Sequence, residues 1–429
     1  MSARHLHRRR GLAAGLALLT VLGGAGTAAA APSGRNEIVS LHENGSQARH
    51  KSHINGSATV ASADGRHIVF STPAALVRQD RNRVDDVYVR DTLEDTTTLV
   101  SVTADRTPGN DVSFEPSISA DGRFVAFTTM ATNLFPDGNG GALDVVVKDL
   151  RTGTVTLASR RSDGSGVRNS FFPVMSGNGR FVAFQTFAAL GGKDTDRRED
   201  VYVNDRVTGA TEQMSVKAGH DIAGDIVVGS ISADGRMVTF GTDNSAWVRD
   251  RERRRTIRFW HEPDDPSLPY AGGTVGRPVV SGNGRFVAFS TRNRFVVSGD
   301  RGHLSDIFRL NLETGRFRKV TLAHTGRNAD DESFIPSLSH SGRYVGFMSF
   351  ADNLVRGDAA GADTFVRDMH TRTTTMASVG VDGPADQDSG RTAVSINADG
   401  STLVYESYAN NLVADDANDL PDVFAWKRR

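Results

Sequence analysis

Three sets of side chains in this 429-residue chain have types and spacings from which chemistry can be built. The first is acidic: Asp80-x-Asn82-x3-Asp86, Asp194-x-Asp196-x3-Asp200 and Asp416-x-Asn418-x3-Asp422, with looser forms at Asp137/Asn139/Asp144 and Asp358/Asp363. Three oxygen-bearing side chains converging from a short loop suit a hard cation such as calcium. The twelve-residue helix-flanked calcium loop is absent, however, and copies lack a middle ligand at Gly302 and Ala360. Asp and Asn also cap turns by accepting from nearby backbone N–H groups, and that use is the one the sequence predicts. No metal site and no cofactor are expected.

The second set is aromatic. Phe114, Phe171 and Phe334 share an S-F-x-P or S-F-F-P context, and Tyr270 lies in a long polar stretch. Such rings can stack on a sugar or a peptide, or pack between neighbouring repeats. These four are the candidate ligand-binding residues. The third set is titratable: His50-x2-His53, read as part of a solvated loop, and Glu115 with Arg277, the charged groups of segments expected to line a central channel. Paired carboxylates are missing there, so no catalytic residue is expected. The run Arg251 to Arg255 reads as a solvated turn.

The elements that position these groups follow from a repeat. Seven turn glycines, Gly65, Gly122, Gly179, Gly235, Gly284, Gly342 and Gly400, sit in near-identical contexts such as SADGRFVAF and SGNGRFVAF, at intervals of 57, 57, 56, 49, 58 and 58 residues. A fixed period of this size means stacked copies of one supersecondary unit. Asp-Gly or Asn-Gly between apolar runs marks a tight hairpin, because the turn needs φ > 0. The run Phe124-Val125-Ala126-Phe127 is apolar without alternation, as in a strand covered on both faces.

Taking the second copy, Phe114–Ser119, Arg123–Thr129, Asp144–Leu150 and Val155–Ser159 read as four antiparallel strands. Seven such units predict an all-β, seven-bladed β-propeller of four-stranded antiparallel blades. The last copy stops after Lys427 without a fourth strand, and Glu37–Leu41 resembles the fourth strands that precede the other copies. The N-terminal strand is therefore expected to complete the last blade and remove its open edge.

Residues 1–30 carry a basic start (Arg4, Arg8 to Arg10), an apolar Gly11–Leu22 stretch and Ala28-Ala29-Ala30, which reads as a secretory signal peptide preceding a single domain over 31–429. Its removal takes away four arginines and no acid, moving the formal charge from −1 to about −5. A mildly acidic chain argues against nucleic-acid binding, and no later stretch is apolar enough to span a bilayer. Zero Cys excludes disulfides, thiolate metal sites and Cys nucleophiles.

The SADGR-type turns followed by short Arg-aromatic-aliphatic strands resemble the TolB-type propeller repeat, a relative of WD repeats in which Pro-Asp-Gly stands where this chain has Ala-Asp-Gly or Gly-Asn-Gly. The resemblance covers residues 37 to 429, implies the propeller fold, and does not include the α/β domain that precedes the TolB propeller. The G-x-S-x-G elbow of propeller-bearing serine peptidases is absent too. Tight turns after strands one and three put minimal connections on one face, and the long connections fall on the other. Function is expected on the long-loop face. The reading is a secreted, monomeric, non-catalytic binding or scaffold propeller for an extracellular or envelope protein or a polysaccharide. The alternative is an extracellular polysaccharide lyase, hydrolase or esterase with its site at the channel mouth.

Overall fold

A computed structural model describes residues 34–54, 56, 59–135, 140–161, 163–167, 169–190, 198–222, 225–261, 276–300, 303–358 and 360–429. The expected leader, Tyr270, Asp137, Asn139, Asp194, Asp196 and Gly302 lie outside them. Residues from Ser33 onward form one compact unit, a seven-bladed all-β propeller.

Blade 2 is representative: Ser113–Ile118 innermost, then Phe124–Thr129, Asp144–Asp149 and Val155–Leu157, each antiparallel to the next. The non-alternating second strands are buried almost throughout, because neighbouring blades cover both faces. Their aromatic rings meet those of the third strand directly across the ladder. Phe70 stacks on Tyr88 with ring centroids 5.9 Å apart, and Phe347 on Phe365 at 5.6 Å. Blade 1 departs slightly, with three regular strands and an inner segment held by single bridges, His53 to Ser71 and Ala61 to Ile68.

The repeated turn explains its own sequence. In blade 1 the Ser62 hydroxyl donates to Asp64 at 2.6 Å and accepts from the His67 N–H, while Asp64 also accepts from the Arg66 N–H. Gly65 sits at φ +70°, where a side chain is strained and would also strike Thr402 of the adjoining blade. The next residue, Arg66, grips Asp91 at the end of the third strand with two hydrogen bonds of 2.8 and 2.6 Å. Arg123–Asp149, Arg180–Asp205, Arg236–Asp250 and Arg343–Asp368 repeat this fork. The arginine hydrogen bonds hold Asp91 and Asp149 well below the usual carboxylate range.

The blades are stitched to one another at the same end. The Ala63 N–H donates to the Ala120 carbonyl, Ala120 to Gly177, Asn178 to Ala233, Ala233 to Gly282, Asn283 to His340 and His340 to Ala398, all at 2.8–2.9 Å. The Asn397 amide closes the circle on the Ala63 carbonyl at 3.1 Å. Small residues hold the belt position in every blade but the sixth, where His340 packs against Gly282: a side chain on Gly177 would lie 2.8 Å from the Ala233 methyl. Deeper in, Ser117, Ser230 and Ser395 accept from the inner-strand N–H groups of Met175, Val280 and Val60 in adjoining blades.

The N-terminal strand completes blade 7, as expected, but over Gly34–Ile38 instead of 37–41, pairing antiparallel with Asp422–Arg428 from Gly34↔Arg428 to Ile38↔Phe424. The third strand runs on to Arg428, so its partner must begin three residues earlier. Leu41 instead bridges Gln47 in a turn. Asn36 on this strand bonds the Ala377 and Val379 carbonyls of blade 6 at 2.9 and 3.0 Å.

Two further corrections bear on loop lengths. In blade 4 the second and third strands are joined by a tight hairpin, Thr242 pairing with Ser245, which accounts for part of the short 49-residue interval. In blade 7 the inner strand starts at Ser389, which adds Arg391 to the charged residues of the inner strands.

Candidate functional site

The two ends of the central channel differ. At the tight-turn end the belt of small residues leaves a narrow cavity of about 100 Å³, lined by Ala63, Ala120, Gly177, Ala233, Gly282 and Ala398 among others. At the long-loop end two wider cavities, about 440 and 600 Å³, adjoin through Thr392 and Tyr408. The first holds Lys51, His53, Asp85, Phe114 and Glu406 from blades 1, 2 and 7. The second holds Asp363, Asp386, Asp388 and Arg391 from blades 6 and 7.

Each group there is fixed by its element. His53 is not in a solvated loop: it bridges Ser71 through the backbone, and its imidazole Nε2 lies 3.2 Å from Asp85 Oδ1. His50 is exposed and apart from this pair. Glu406, near the end of the second strand of blade 7, is buried at 6% exposure and accepts from the Ile54 N–H at 2.6 Å. Arg391 donates to Asp388 at 2.6 Å, while Asp388 also accepts from the Ala362 N–H. Tyr408 presents a half-exposed ring to both cavities.

Glu115 and Arg277 form no direct ion pair among the described residues, but both lie against Phe172 and each feels the other's charge. The S-F-x-P motif is an inner-strand bulge: the ladder register shifts between Phe114 and Ser117 and between Phe334 and Ser337, and Glu115, Phe172 and Ile335 sit at φ of 56, 52 and 54°. The bulge turns Glu115 inward, where it accepts from the Thr128 hydroxyl at 2.8 Å and the Phe172 N–H at 2.9 Å. Arg277 of blade 5 places its guanidinium 4.2 Å from the Phe172 ring centroid and donates to the Gly56 carbonyl of blade 1 at 3.0 Å. Gly56 is at φ +63°, and a side chain there would lie 2.7 Å from Arg277. Burial raises Glu115 above the ordinary glutamate range, with Phe172, Thr128 and the charge of Arg277 opposing; burial likewise raises Glu199. Burial lowers Arg277, against the fields of Glu115 and Glu199.

The candidate aromatics are not brought together. Phe114 lines the 440 Å³ cavity. Phe171 packs edge-on to Phe172 at 5.3 Å and beside the half-exposed Phe187. Phe334 is partly buried against the apolar cluster of blades 6 and 7. Tyr408 had a signal that the sequence reading passed over: the position just after the second strand carries Phe187, Phe350 and Tyr408 in blades 3, 6 and 7. Asp85 and Glu406 were missed because they come from third- and second-strand ends, whereas only inner strands were searched for channel charges.

The acidic loops knit blades together. Asp80 takes the Tyr88 hydroxyl and caps the Asn82 N–H, and Asn82 caps Val84 and donates to the Gly109 carbonyl at 2.8 Å. Asp86, Asp306, Asp363 and Asp422 each accept from a Ser or Thr hydroxyl in the same blade: Ser101, Thr321, Ser378 and Ser40. Among the described residues no group of three His, Asp or Glu is arranged to hold a metal. Arg251, too, is not solvated, since its guanidinium stacks on Phe181 at 4.3 Å and pairs with Glu212.

The buried aspartates set a pH dependence. Burial pushes Asp86 up to about 7 and Asp363 up to about 6, against the Ser101 and Ser378 hydrogen bonds. Asp86 Oδ2 is moreover buried with no hydrogen-bond partner among the described residues. A carboxyl raised in the native state keeps its proton there at pH values where the unfolded chain, titrating near 4, has lost it. The native state is thus favoured at low pH and loses that advantage as pH rises through about 6 and 7. We expect the melting temperature to fall between pH 5 and pH 8. Asp86→Asn should flatten that slope, and an unchanged slope in thermal melts would contradict the assignment.

The fold has solved relatives. Oligogalacturonate lyase from Vibrio parahaemolyticus superposes with a TM-score of 0.54 at 13% identity, covering 92% of this chain and 96% of that one. The β-propeller domain of the Trilobed protease from Pyrococcus furiosus gives 0.53 at 9% identity, covering 88% and 93%. TolB from Acinetobacter baumannii gives 0.42 at 13% identity, covering 85% and 81%. No family model matches the chain, and a search of curated proteins gives no match. At these identities the likeness is one of fold, and the propeller hosts both binding proteins and enzymes.

Proposed function

We propose that this chain is a secreted, non-catalytic propeller that binds a polysaccharide at the long-loop mouth of its channel. The observation that carries the reading is the asymmetry of the channel: a groove of two adjoining cavities at one end, against a belt of small residues at the other. The groove offers two aromatic rings, Phe114 and Tyr408, among Lys51, His53, Asp388 and Arg391. Flat rings beside fixed polar groups are what a sugar's apolar face and hydroxyls require. The leader-like residues 1–30 suit an extracellular setting.

The test is affinity electrophoresis and titration calorimetry against a panel of neutral and acidic polysaccharides. Binding should weaken about tenfold or more in Tyr408→Ala and Phe114→Ala. Leu93→Ala, an exposed change in the turn after the third strand of blade 1, should leave it intact. Equal loss from both sets, with unchanged melting, would reject the mouth as the site, and retention of a protein alone would shift the ligand class.

A second reading is favoured by one observation: buried Glu406 and the His53–Asp85 pair face the same cavity as Lys51. An acid and a base in one pocket suit lyase or hydrolase chemistry, and one fold neighbour is named for action on oligogalacturonate. Turnover of any panel polysaccharide, abolished by Glu406→Gln, would replace the binding reading with this one.

A further inference from the structure

The tight-turn face is expected from the sequence to be uniform, and blade 5 breaks that uniformity. Its third strand, Asp306–Asn311, ends in Asn where five other blades place Asp91, Asp149, Asp205, Asp250 and Asp368. Arg285, deprived of that partner, pairs with the exposed Glu313 instead. Two residues earlier stands Arg309, where those five blades have Val89, Val147, Val203, Val248 and Val366. Arg309 lies directly across the ladder from Arg318, and Asn311 across from Arg316. Elsewhere these ladder positions pair Val89 with Thr98, Val147 with Thr156 and Val366 with Thr375.

Like charges placed directly opposite destabilise a sheet. Here three arginines stand on one face of a hairpin, and none has a carboxylate partner among the described residues. The Arg309 guanidinium is buried over the Phe286 ring, 4.3 Å from its centroid, and donates to the Gly342 carbonyl of blade 6. Burial and the charge of Arg318 bring Arg309 down to about 10. Arg309, Arg316, Arg318 and His370 line a groove of about 580 Å³ between blades 5 and 6. The nearby Asp368 is already held by Arg343 and by the His370 and Thr371 N–H groups. The groove is thus a concentration of unmatched positive charge in a chain whose formal net charge is −1.

We propose that this groove is a second binding site, on the face opposite the channel mouth, for a tetrahedral oxyanion presented as a phosphate or sulfate ester. Arg316 and Arg318 are the contacting forks and Arg309 the buried positioning charge. Guanidinium groups bind such oxyanions with charge-assisted, often paired hydrogen bonds. An anion between Arg309 and Arg318 converts their repulsion into shared attraction.

The test titrates the full chain with inorganic phosphate and with inorganic sulfate, holding ionic strength constant with chloride, by calorimetry and thermal shift. We expect saturable binding and a rise in melting temperature with one or both anions, weakened about tenfold or more in Arg316→Gln and in Arg318→Gln. Arg285→Gln should bind as the parent does. Without anion, Arg318→Gln should melt no lower than the parent, because a like-charge pair has been removed. Polyphosphate and dextran sulfate distinguish the sources: preference for either supports the site and identifies the ester. Absence of saturable binding by all four, or binding unaltered in both arginine variants, would overturn the proposal. Arg316 is exposed and has no hydrogen-bond or ion-pair partner among the described residues, so its variant remains interpretable if Arg318→Gln fails to fold.

Discussion

Removal of residues 31–40 should lower the melting temperature by about ten degrees or more, or prevent folding altogether. The closing strand makes five consecutive register pairs with Asp422–Arg428. It also supplies Asn36, which accepts from the Tyr405 hydroxyl at 2.8 Å while donating to two carbonyls of blade 6. Ser40 bonds the buried Asp422, which would lose that donor. Each buried polar group left unsatisfied costs about 1–3 kcal/mol, against a total domain stability on the order of 5–15 kcal/mol. The exposed edge of Asp422–Arg428 would also invite pairing between molecules. The checks are thermal melting and size-exclusion chromatography. A truncated chain that melts within a degree or two of the parent and stays monomeric would contradict the closure.

Arg277→Met should destabilise the protein by about 1–3 kcal/mol, because it removes the hydrogen bond to the Gly56 carbonyl, the guanidinium over Phe172 and the charge that opposes the burial of Glu115. Arg277 is only half-buried, which places the effect below that of a fully enclosed pair. Glu115→Gln in the same background should recover the part of the loss that comes from the buried carboxylate, since Gln can still accept from Thr128 and the Phe172 N–H. Chemical denaturation of the parent, both single variants and the double variant supplies the cycle. A double variant no more stable than Arg277→Met would show that the arginine acts through packing on Phe172 and Gly56 alone.

Much of this molecule could be read from its sequence because the repeat states its rules seven times. The turn glycines, the doubly covered second strands and the need for an N-terminal strand in blade 7 all follow from local patterns that the fold keeps. The errors arose where partners are distant in sequence. The closing strand was misplaced by three residues because its register depends on how far Asp422–Arg428 extends. His53 looked solvated because Asp85, its partner, lies 32 residues on. Arg251 looked like part of a polar run because Phe181 and Glu212 belong to another blade. The acidic loops were legible as turn caps, but not as hydrogen-bond acceptors for outer-strand hydroxyls such as Ser101 and Ser378. The channel-mouth groove was only half visible, since Phe114 belongs to a motif while Tyr408, Glu406 and Arg391 belong to none.

The closure through Gly34–Ile38 has a consequence in time as well as in stability. The strand is among the first parts of the fold to be synthesised, yet its ladder partner, Asp422–Arg428, is the last. Blades 1 to 6 can pair their strands as they emerge, each from contacts made nearby in the chain. Blade 7 must wait for strands from both ends of the propeller, and contacts of such long range are the slowest to form. Until then the nascent ring stays open, with two unsatisfied edges facing each other across one missing seam.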